Sequence, residues 1–301
     1  MSATFTSHPA RDKGPRIGAT EDPRSVRLLM IAVTLTFLGL FLVVPVIGVF
    51  SEALRKGFGY YLSSVSTSEA WSAIRLTLMT AAIAVPLNVS FGIAAAWAIT
   101  RFEFPGKNVL TTLIDVPFSV SPVISGMLFV LLLGIRTQIG GYLADHGVRI
   151  IFAEPGIVLA TIFVTFPIAA RELIPVMGVT GIEEEEAAVV LGAGGWQTFL
   201  RVTLPKIKWG LLYGLVLCNA RAMGEFGGVS VVSGHIRGHT DTMPLYVEIL
   251  YNDYDFAGAF AVASLLTFLA LITLVLKQLL GRRLAVASRP ESESPAERAA
   301  A

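Results

Sequence analysis

Residues 76–100 read LTLMTAAIAVPLNVSFGIAAAWAIT, a run of 25 without an Asp, Glu, Lys or Arg, bounded by Arg75 and Arg101. A helix rises 1.5 Å per residue, so about 20 apolar residues cross the hydrocarbon core of a bilayer. Residues 28–51, 116–135 and 256–276 meet the same requirement, with 24, 20 and 21 uncharged residues. Residues 155–170 supply only 16 before Arg171 and Glu172. Residues 209–220 supply 12 before Arg221; Glu225 lies one turn further on, and apolar sequence resumes to Ile236. Both read as membrane helices with polar interruptions. Six spans are therefore expected, at about 28–51, 76–100, 116–135, 155–174, 209–236 and 256–280.

The wider composition agrees. Of 301 residues, 54% are hydrophobic and 15% charged, against roughly 25% charged in soluble domains. A formal net charge of +1 leaves no basic field to hold nucleic acid. The single cysteine, Cys218, makes neither an intrachain disulfide nor a zinc site. The first apolar stretch, at 24 residues, exceeds the roughly 7–15 of a signal-peptide core and reads as an anchor helix. The expected fold is an all-α integral membrane protein: an N-terminal anchor helix and a five-helix core within residues 28–284, in contact with membrane lipid. Residues 1–27 and 285–301 mix small, polar and charged residues with proline and are expected to be disordered tails.

Lys and Arg in the connections set the orientation. The N-terminal tail (Arg11, Lys13, Arg16, Arg24, Arg27), the loops with Arg101, Lys107, Arg171, Arg201, Lys206 and Lys208, and the C-terminal end (Lys277, Arg282, Arg283, Arg289, Arg298) place 16 on one side. Arg55, Lys56, Arg75, Arg136, Arg149 and Arg237 place 6 on the other, and Arg221 sits within a span. Both termini are expected in the cytoplasm.

The longest connection on that side, residues 180–205, carries the most information. Thr180 and Glu183 have capping-box spacing, and Glu183 to Glu186 fill a first turn where the helix dipole favours carboxylates. Helical sequence continues to Leu191, is interrupted at Gly192, Gly194 and Gly195, and resumes over Trp196–Val202. Leu204-Pro205 is expected to end the second short helix. Small Ala187 and Ala188 allow close approach, Gly192 sets an angle, and Glu186 offers an acceptor to a partner.

The spacing Glu186-Ala187-Ala188, Gly192, Val202, Leu204-Pro205 resembles the EAA loop of ABC importer permeases. Arg101-Phe102-Glu103-Phe104-Pro105-Gly106, Asp115-Val116-Pro117-Phe118 with Ser121-Pro122, Arg171-Glu172-Leu173-Ile174-Pro175 and the stretch from Asn219 to Gly234 resemble the sulfate/thiosulfate branch of that family. Their wording is closest to its W-type membrane subunit. The resemblance covers roughly residues 28–283. It implies a loop that docks a cytoplasmic ATPase, and an assembly with two ATP-binding subunits, a T-type permease partner and a periplasmic sulfate/thiosulfate-binding protein in a bacterial inner membrane. Related importers carry molybdate or tungstate. No Gly-x-x-x-x-Gly-Lys-Ser/Thr phosphate cradle occurs in the chain, so ATP is expected to be used by the partner, with no cofactor bound here and no catalytic or metal site.

A charge at the bilayer centre costs about 2.5–3.5 kcal/mol on insertion scales, so Arg221 and Glu225, four apart on one helix face, are expected to pair. Asp115 is either an alternative partner for Arg221 or a residue sitting near the cytoplasmic end of the third span. Pro117 and Pro122 are expected to break or kink the third span, and open backbone there needs cover from protein or water. With Ser121, Ser125 and Ser230 as hydroxyl donors, these residues make the third and fifth spans the preferred lining of an anion path. An autonomous secondary anion transporter or channel using the same charges is the competing reading; it leaves the Glu186–Pro205 loop without a purpose. His235, His239, Asp241, Asp253 and Asp255 read as solvated loop residues, since their spacing forces no convergence on a metal.

Overall fold

The computed structural model describes residues 24–287, and every regular element among them is helical. The chain divides into two compact units, one up to Gly48 and one from Val49 onward. The first begins with α1 (Arg24–Leu38), a π-helical turn (Gly39–Val43) and the start of α2 (Val44–Ala53). Together they form a 30-residue apolar rod, Arg24–Ala53, long enough to cross a bilayer. No side chain of α1 is buried, as suits a surface whose solvent is lipid.

The second unit comprises α3 (Phe58–Val65), α4 (Ser68–Arg101), α5 (Lys107–Ser119), α6 (Pro122–Leu133), α7 (Gln138–Asp145), α8 (Glu154–Val179), α9 (Glu183–Val190) and α10 (Gly195–Thr198). A second π-helical turn (Phe199–Thr203) follows, then α11 (Leu204–Met223), α12 (Gly227–Val232), α13 (Met243–Asn252) and α14 (Phe256–Ala287). Its centre is α4 laid along α8, with α11 packed on both. Lipid is as apolar as leucine, so membrane helices associate by close van der Waals fit between small residues. Ala81, Ala169, Cys218 and Ala222 form one such seam, and Ala95 and Ala170 belong to another. At Gly92 the fit is tightest: an added Cβ would lie 2.6 Å from the Ala169 Cβ and 2.9 Å from backbone. One polar tie crosses the seam, where buried Asn88 donates to the Thr165 hydroxyl at 2.7 Å and to the Ile162 carbonyl at 3.3 Å. At the other end, Ala70, Ala73, Met243, Tyr246 and Val262 pack α13 against α4 and α14.

Four helices are continuous and apolar enough to span: Arg24–Ala53, Ser68–Arg101, Glu154–Val179 and Phe256–Leu276. The span expected at 116–135 is the pair α5 and α6, bent by 104°, in line with the break or kink expected at Pro117 and Pro122. The break falls at Val120 and Ser121, whose backbone is extended, and Pro122 opens α6 at a first-turn position that needs no N–H. The expected span at 209–236 is also divided. α11 carries Lys206, Lys208 and Arg221 within its 20 residues, and Gly224–Phe226 separate it from the six-residue α12. Among the described residues four helices, or five spans if the bent pair counts as one, are long and apolar enough to cross a membrane.

Two local expectations change as well. Thr180 does not open α9: it ends α8 in right-handed backbone, its hydroxyl donates to the Met177 carbonyl at 3.1 Å, and Ile182 takes the cap position without a side-chain bond. Leu204-Pro205 does not end a helix, because α10 passes through the π turn directly into α11. The Leu204 N–H reaches back five residues to the Phe199 carbonyl, and this wider turn admits Pro205, which has no N–H and crowds the preceding turn. The same device precedes Pro45, where the Val44 N–H bonds the Gly39 carbonyl. The helices α1 and α14 extend into the expected tails at residues 24–27 and 285–287; the remainder of both tails lies outside the described residues.

Candidate functional site

Two constellations emerge. The first is the hairpin of α9 and α10. Glycine supplies its geometry: Gly181 (φ 65°) turns the chain out of α8, and Gly192 (φ 90°) turns it again after α9, a left-handed conformation that favours glycine. Its root is held by Arg101, the last residue of α4. The guanidinium donates from Nε to Glu185 Oε2 at 2.8 Å and from Nη2 to Oε1 at 3.1 Å. It also donates to the carbonyls of Met177 (3.0 Å) and Gly181 (2.9 Å). Thr203, in the π turn, donates to the same Glu185 carboxylate at 3.0 Å, and Lys206 pairs with Glu184 at 3.1 Å. The Arg101 and Glu185 side chains are only 7% and 13% exposed. Trp97 of α4 stacks on Phe199 with ring centres 5.2 Å apart, and Trp196 stacks on the same ring.

Away from this root the hairpin is bare. Val190, Leu191 and Trp196 are 85%, 88% and 72% exposed. Glu186 and Ala187 are exposed, Ala188 is half-buried, and the Glu186 carboxylate has no side-chain hydrogen bond or ion pair among the described residues. A groove of about 560 Å³ between Trp97, Phe102, Glu186, Val189 and Gly195 runs beside it. Glu186, Ala187, Ala188 and Gly192 thus share one exposed feature, whereas Leu204 and Pro205 begin α11 behind it. The sequence placed Glu185 only in an acidic first turn favoured by the helix dipole and gave Arg101 no structural task. Their separation of 84 residues hid the pairing.

The second constellation is a pair of chain breaks packed on each other. α12 lies against α6 and α8. A Cβ on Gly126 of α6 would meet the Gly228 carbonyl oxygen at 2.8 Å, and one on Gly227 would meet Pro122 at 3.1 Å. Between α11 and α12, Glu225 is buried, accepts the Gly228 N–H at 2.8 Å and lies 2.7 Å from Arg221 Nη1. The expected pairing of Arg221 with Glu225 is present. Asp115 is not a partner of Arg221; its carboxylate receives Arg171 Nε at 2.7 Å, and that guanidinium lies 4.6 Å over the Phe118 ring. Pro117 is buried, while Ser121 is exposed. The Ser125 hydroxyl donates to the Ser121 carbonyl and that of Ser230 to the Gly227 carbonyl, so both protons are engaged within the chain and only lone pairs remain available.

The loop after α12 departs from the solvated expectation. Ser233 donates to the Thr240 carbonyl, Ile236 N–H bonds the Thr240 hydroxyl oxygen, and Met243 N–H bonds Thr77 of α4, which draws the loop inward. Asp241 is consequently 3% exposed. Burial pushes its carboxyl up from the usual range, against the charges of His235 and Arg237. Asp253 pairs with Arg237 at 2.6 Å, and Asp255 accepts from Tyr60 and Lys56 and caps α14 through the Gly258 N–H.

Residues 88–286 match the family described as the binding-protein-dependent transport system inner membrane component. The chain belongs to that family. Both constellations lie within the matched residues, and the role of such a subunit is to conduct rather than to catalyse. The chain is 54% identical over 243 residues to the sulfate transport system permease protein CysW of Escherichia coli, covering 81% of this chain and 84% of that one. It is 30% identical to CysT, the sulfate transport system permease protein of the same organism, over 85% of this chain and 94% of CysT. Its fold matches a solved bacterial alginate ABC transporter in complex with an alginate pentasaccharide-bound periplasmic protein. The TM-score is 0.69 at 20% identity, across 85% of this chain and 92% of that one.

Proposed function

We propose that the chain is one of two paired, non-identical permease subunits of a bacterial inner-membrane importer for sulfate or thiosulfate. The α9–α10 hairpin is the docking element for a cytoplasmic ATPase subunit, and two such subunits hydrolyse the ATP. The observation that carries this reading is the hairpin's division into a clamped root and a bare apolar tip. Val190, Leu191 and Trp196 are exposed beside an unengaged Glu186, on the side to which the 16 basic residues assign the cytoplasm. Three large exposed apolar side chains at one tip are the anchors a protein partner covers. The identities to CysW and CysT support an anion cargo, a T-type partner and delivery by a periplasmic binding protein.

The test is co-purification with the candidate ATPase, partner permease and binding protein, followed by uptake in vesicles. Gly192→Pro forces a left-handed position into proline's negative φ. Glu186→Lys reverses the charge at the tip. Both variants are expected to insert normally while ATPase activity continues and uptake falls at least about tenfold, the effect of losing about 1.4 kcal/mol of coupling. Full uptake by both would remove the hairpin from the docking role.

The anion path is assigned to the face where the two chain breaks meet, with Asp115, Pro117, Ser121, Pro122, Ser125, Arg221, Glu225 and Ser230 in or beside it. Here Arg221 attracts a dianion and Glu225, already holding it, limits how tightly the anion binds. In the assembled transporter, Arg221→Gln is expected to lower the maximal rate of sulfate uptake several-fold while leaving ATPase docking intact. Uptake at the wild-type rate would take Arg221 out of the path.

A further inference from the structure

At the end of α6 opposite the Ser121–Pro122 break, a cavity of about 480 Å³ has walls that are mostly apolar: Val130, Leu131 and Leu133 from α6, and Ile150, Ile151 and Phe152 from the segment before α8. Its charged lining is two arginines, Arg136 and Arg149. Both are exposed, and neither has an ion pair or side-chain hydrogen bond among the described residues. The other polar side chain in the wall, Thr137, is already engaged: it donates to the carbonyls of Leu132 and Gly134 and accepts the Gly140 N–H as the cap of α7. The cavity opens beside Leu131 and Leu132, which are 71% and 58% exposed on the outer face of an apolar helix. These exposed leucines end the second half of a helix pair apolar enough to cross a membrane, which points to a mouth in the headgroup layer.

An apolar trough ending in two uncompensated guanidinium groups matches an amphiphile with an anionic head and a hydrocarbon tail. Arg binds phosphate oxygens through its planar fork. A small free anion satisfies the arginines but leaves six apolar side chains lining an empty space. We propose that this cavity binds one anionic phospholipid of the adjacent leaflet, its phosphate between Arg136 and Arg149 and an acyl chain against Leu131, Leu133, Ile151 and Phe152. The site shares no lining residue with those assigned above to the hairpin or the anion path, although it adjoins α6 and α12, and it does not depend on the identity of the transported anion.

The full-length chain, purified in mild detergent, is titrated with dioleoyl phosphatidylglycerol and with dioleoyl phosphatidylcholine, and retained lipid is read by native mass spectrometry. Wild type is expected to retain phosphatidylglycerol at about 30-fold lower concentration, the combined effect of two basic residues near an anionic headgroup. In the Arg136→Gln, Arg149→Gln double variant the two titrations are expected to coincide. A phosphatidylglycerol carrying a photoreactive acyl chain is expected to label peptides containing residues 130–135 or 150–152 in wild type. This second readout does not require the variant to fold. Equal retention of the two lipids by wild type, an undiminished preference in the double variant, or labelling confined to other segments overturns the proposal. Arginine-dependent binding of inorganic sulfate with no lipid preference overturns it in favour of a free-anion site.

Discussion

Arg101→Ala is expected to abolish uptake while leaving a membrane-inserted chain. The substitution removes four donors at once and strands a Glu185 carboxylate that is only 13% exposed, with the Thr203 hydroxyl as its remaining partner. Breaking one side of a buried ion pair costs about 3–5 kcal/mol, because the surviving charge is left without compensation. The Gly181 carbonyl loses its side-chain donor as well, and the Met177 carbonyl keeps only the Thr180 hydroxyl. The hairpin root then loosens from α4, and motion of α9 no longer reaches the helix core. Arg101→Lys is expected to rescue little, since one ammonium cannot reproduce the fork that reaches a carboxylate and two carbonyls together. The double variant Arg101→Ala, Glu185→Ala should be less damaged than the sum of the two single changes, the signature of a direct pair. Thermal stability of the purified assembly and uptake in vesicles are the measurements. Undiminished uptake by Arg101→Ala would show that the clamp carries no coupling.

The largest stability effect is expected at Gly92. A valine there would set its Cβ 2.6 Å from the Ala169 Cβ and 2.9 Å from the Ala169 carbonyl carbon and the Ala170 nitrogen. Two of those neighbours are backbone, which no rotamer change relieves, so α4 and α8 must separate. Overpacking a core costs about 1–3 kcal/mol where side chains adjust; at this contact the upper end or more is expected. Loss of folded protein is the expected readout in fluorescence-detected size exclusion. Gly178→Ala is the matched control: it lies in the facing helix α8 but would meet nothing within 4 Å. It should be neutral or slightly stabilising through helix propensity. If both variants behave alike, close approach at Gly92 is not what holds the two helices together.

Much of this architecture can be read directly from the residues. Long uncharged runs report membrane helices because their length and solvent are fixed by the bilayer, and the single-run spans around 76–100 and 256–276 are present as helices. The interrupted regions were harder. A window of apolar residues such as 116–135 does not reveal a 104° bend, although Pro117 and Pro122 mark where one is cheap. Leu204-Pro205 reads as a stop because proline crowds a regular α-turn. Only the wider five-residue return at Leu204 lets the helix continue. In the candidate site, the local pair Arg221 and Glu225 was legible from a four-residue spacing. The contacts of Arg101 with Glu185 and of Asp115 with Arg171, 84 and 56 residues apart, were not, because helix packing sets them rather than chain proximity. Asp241 escaped for a related reason: its burial is decided by how the Ser233–Thr242 loop folds against α4, which no property of the loop's own sequence announces.

The π turn at Phe199–Thr203 joins α10 and α11 into one continuous helical lever. From Leu204 to Arg221 the arm is about 25 Å at the helical rise, so a tilt of about 10° at the hairpin sweeps the guanidinium through roughly 4 Å. That stroke is comparable to the diameter of a small tetrahedral oxyanion. If the hairpin docks the ATPase and Arg221 lines the anion path as proposed, a modest rocking at one end of the shaft would be enough to move the guanidinium across that path without any helix having to melt.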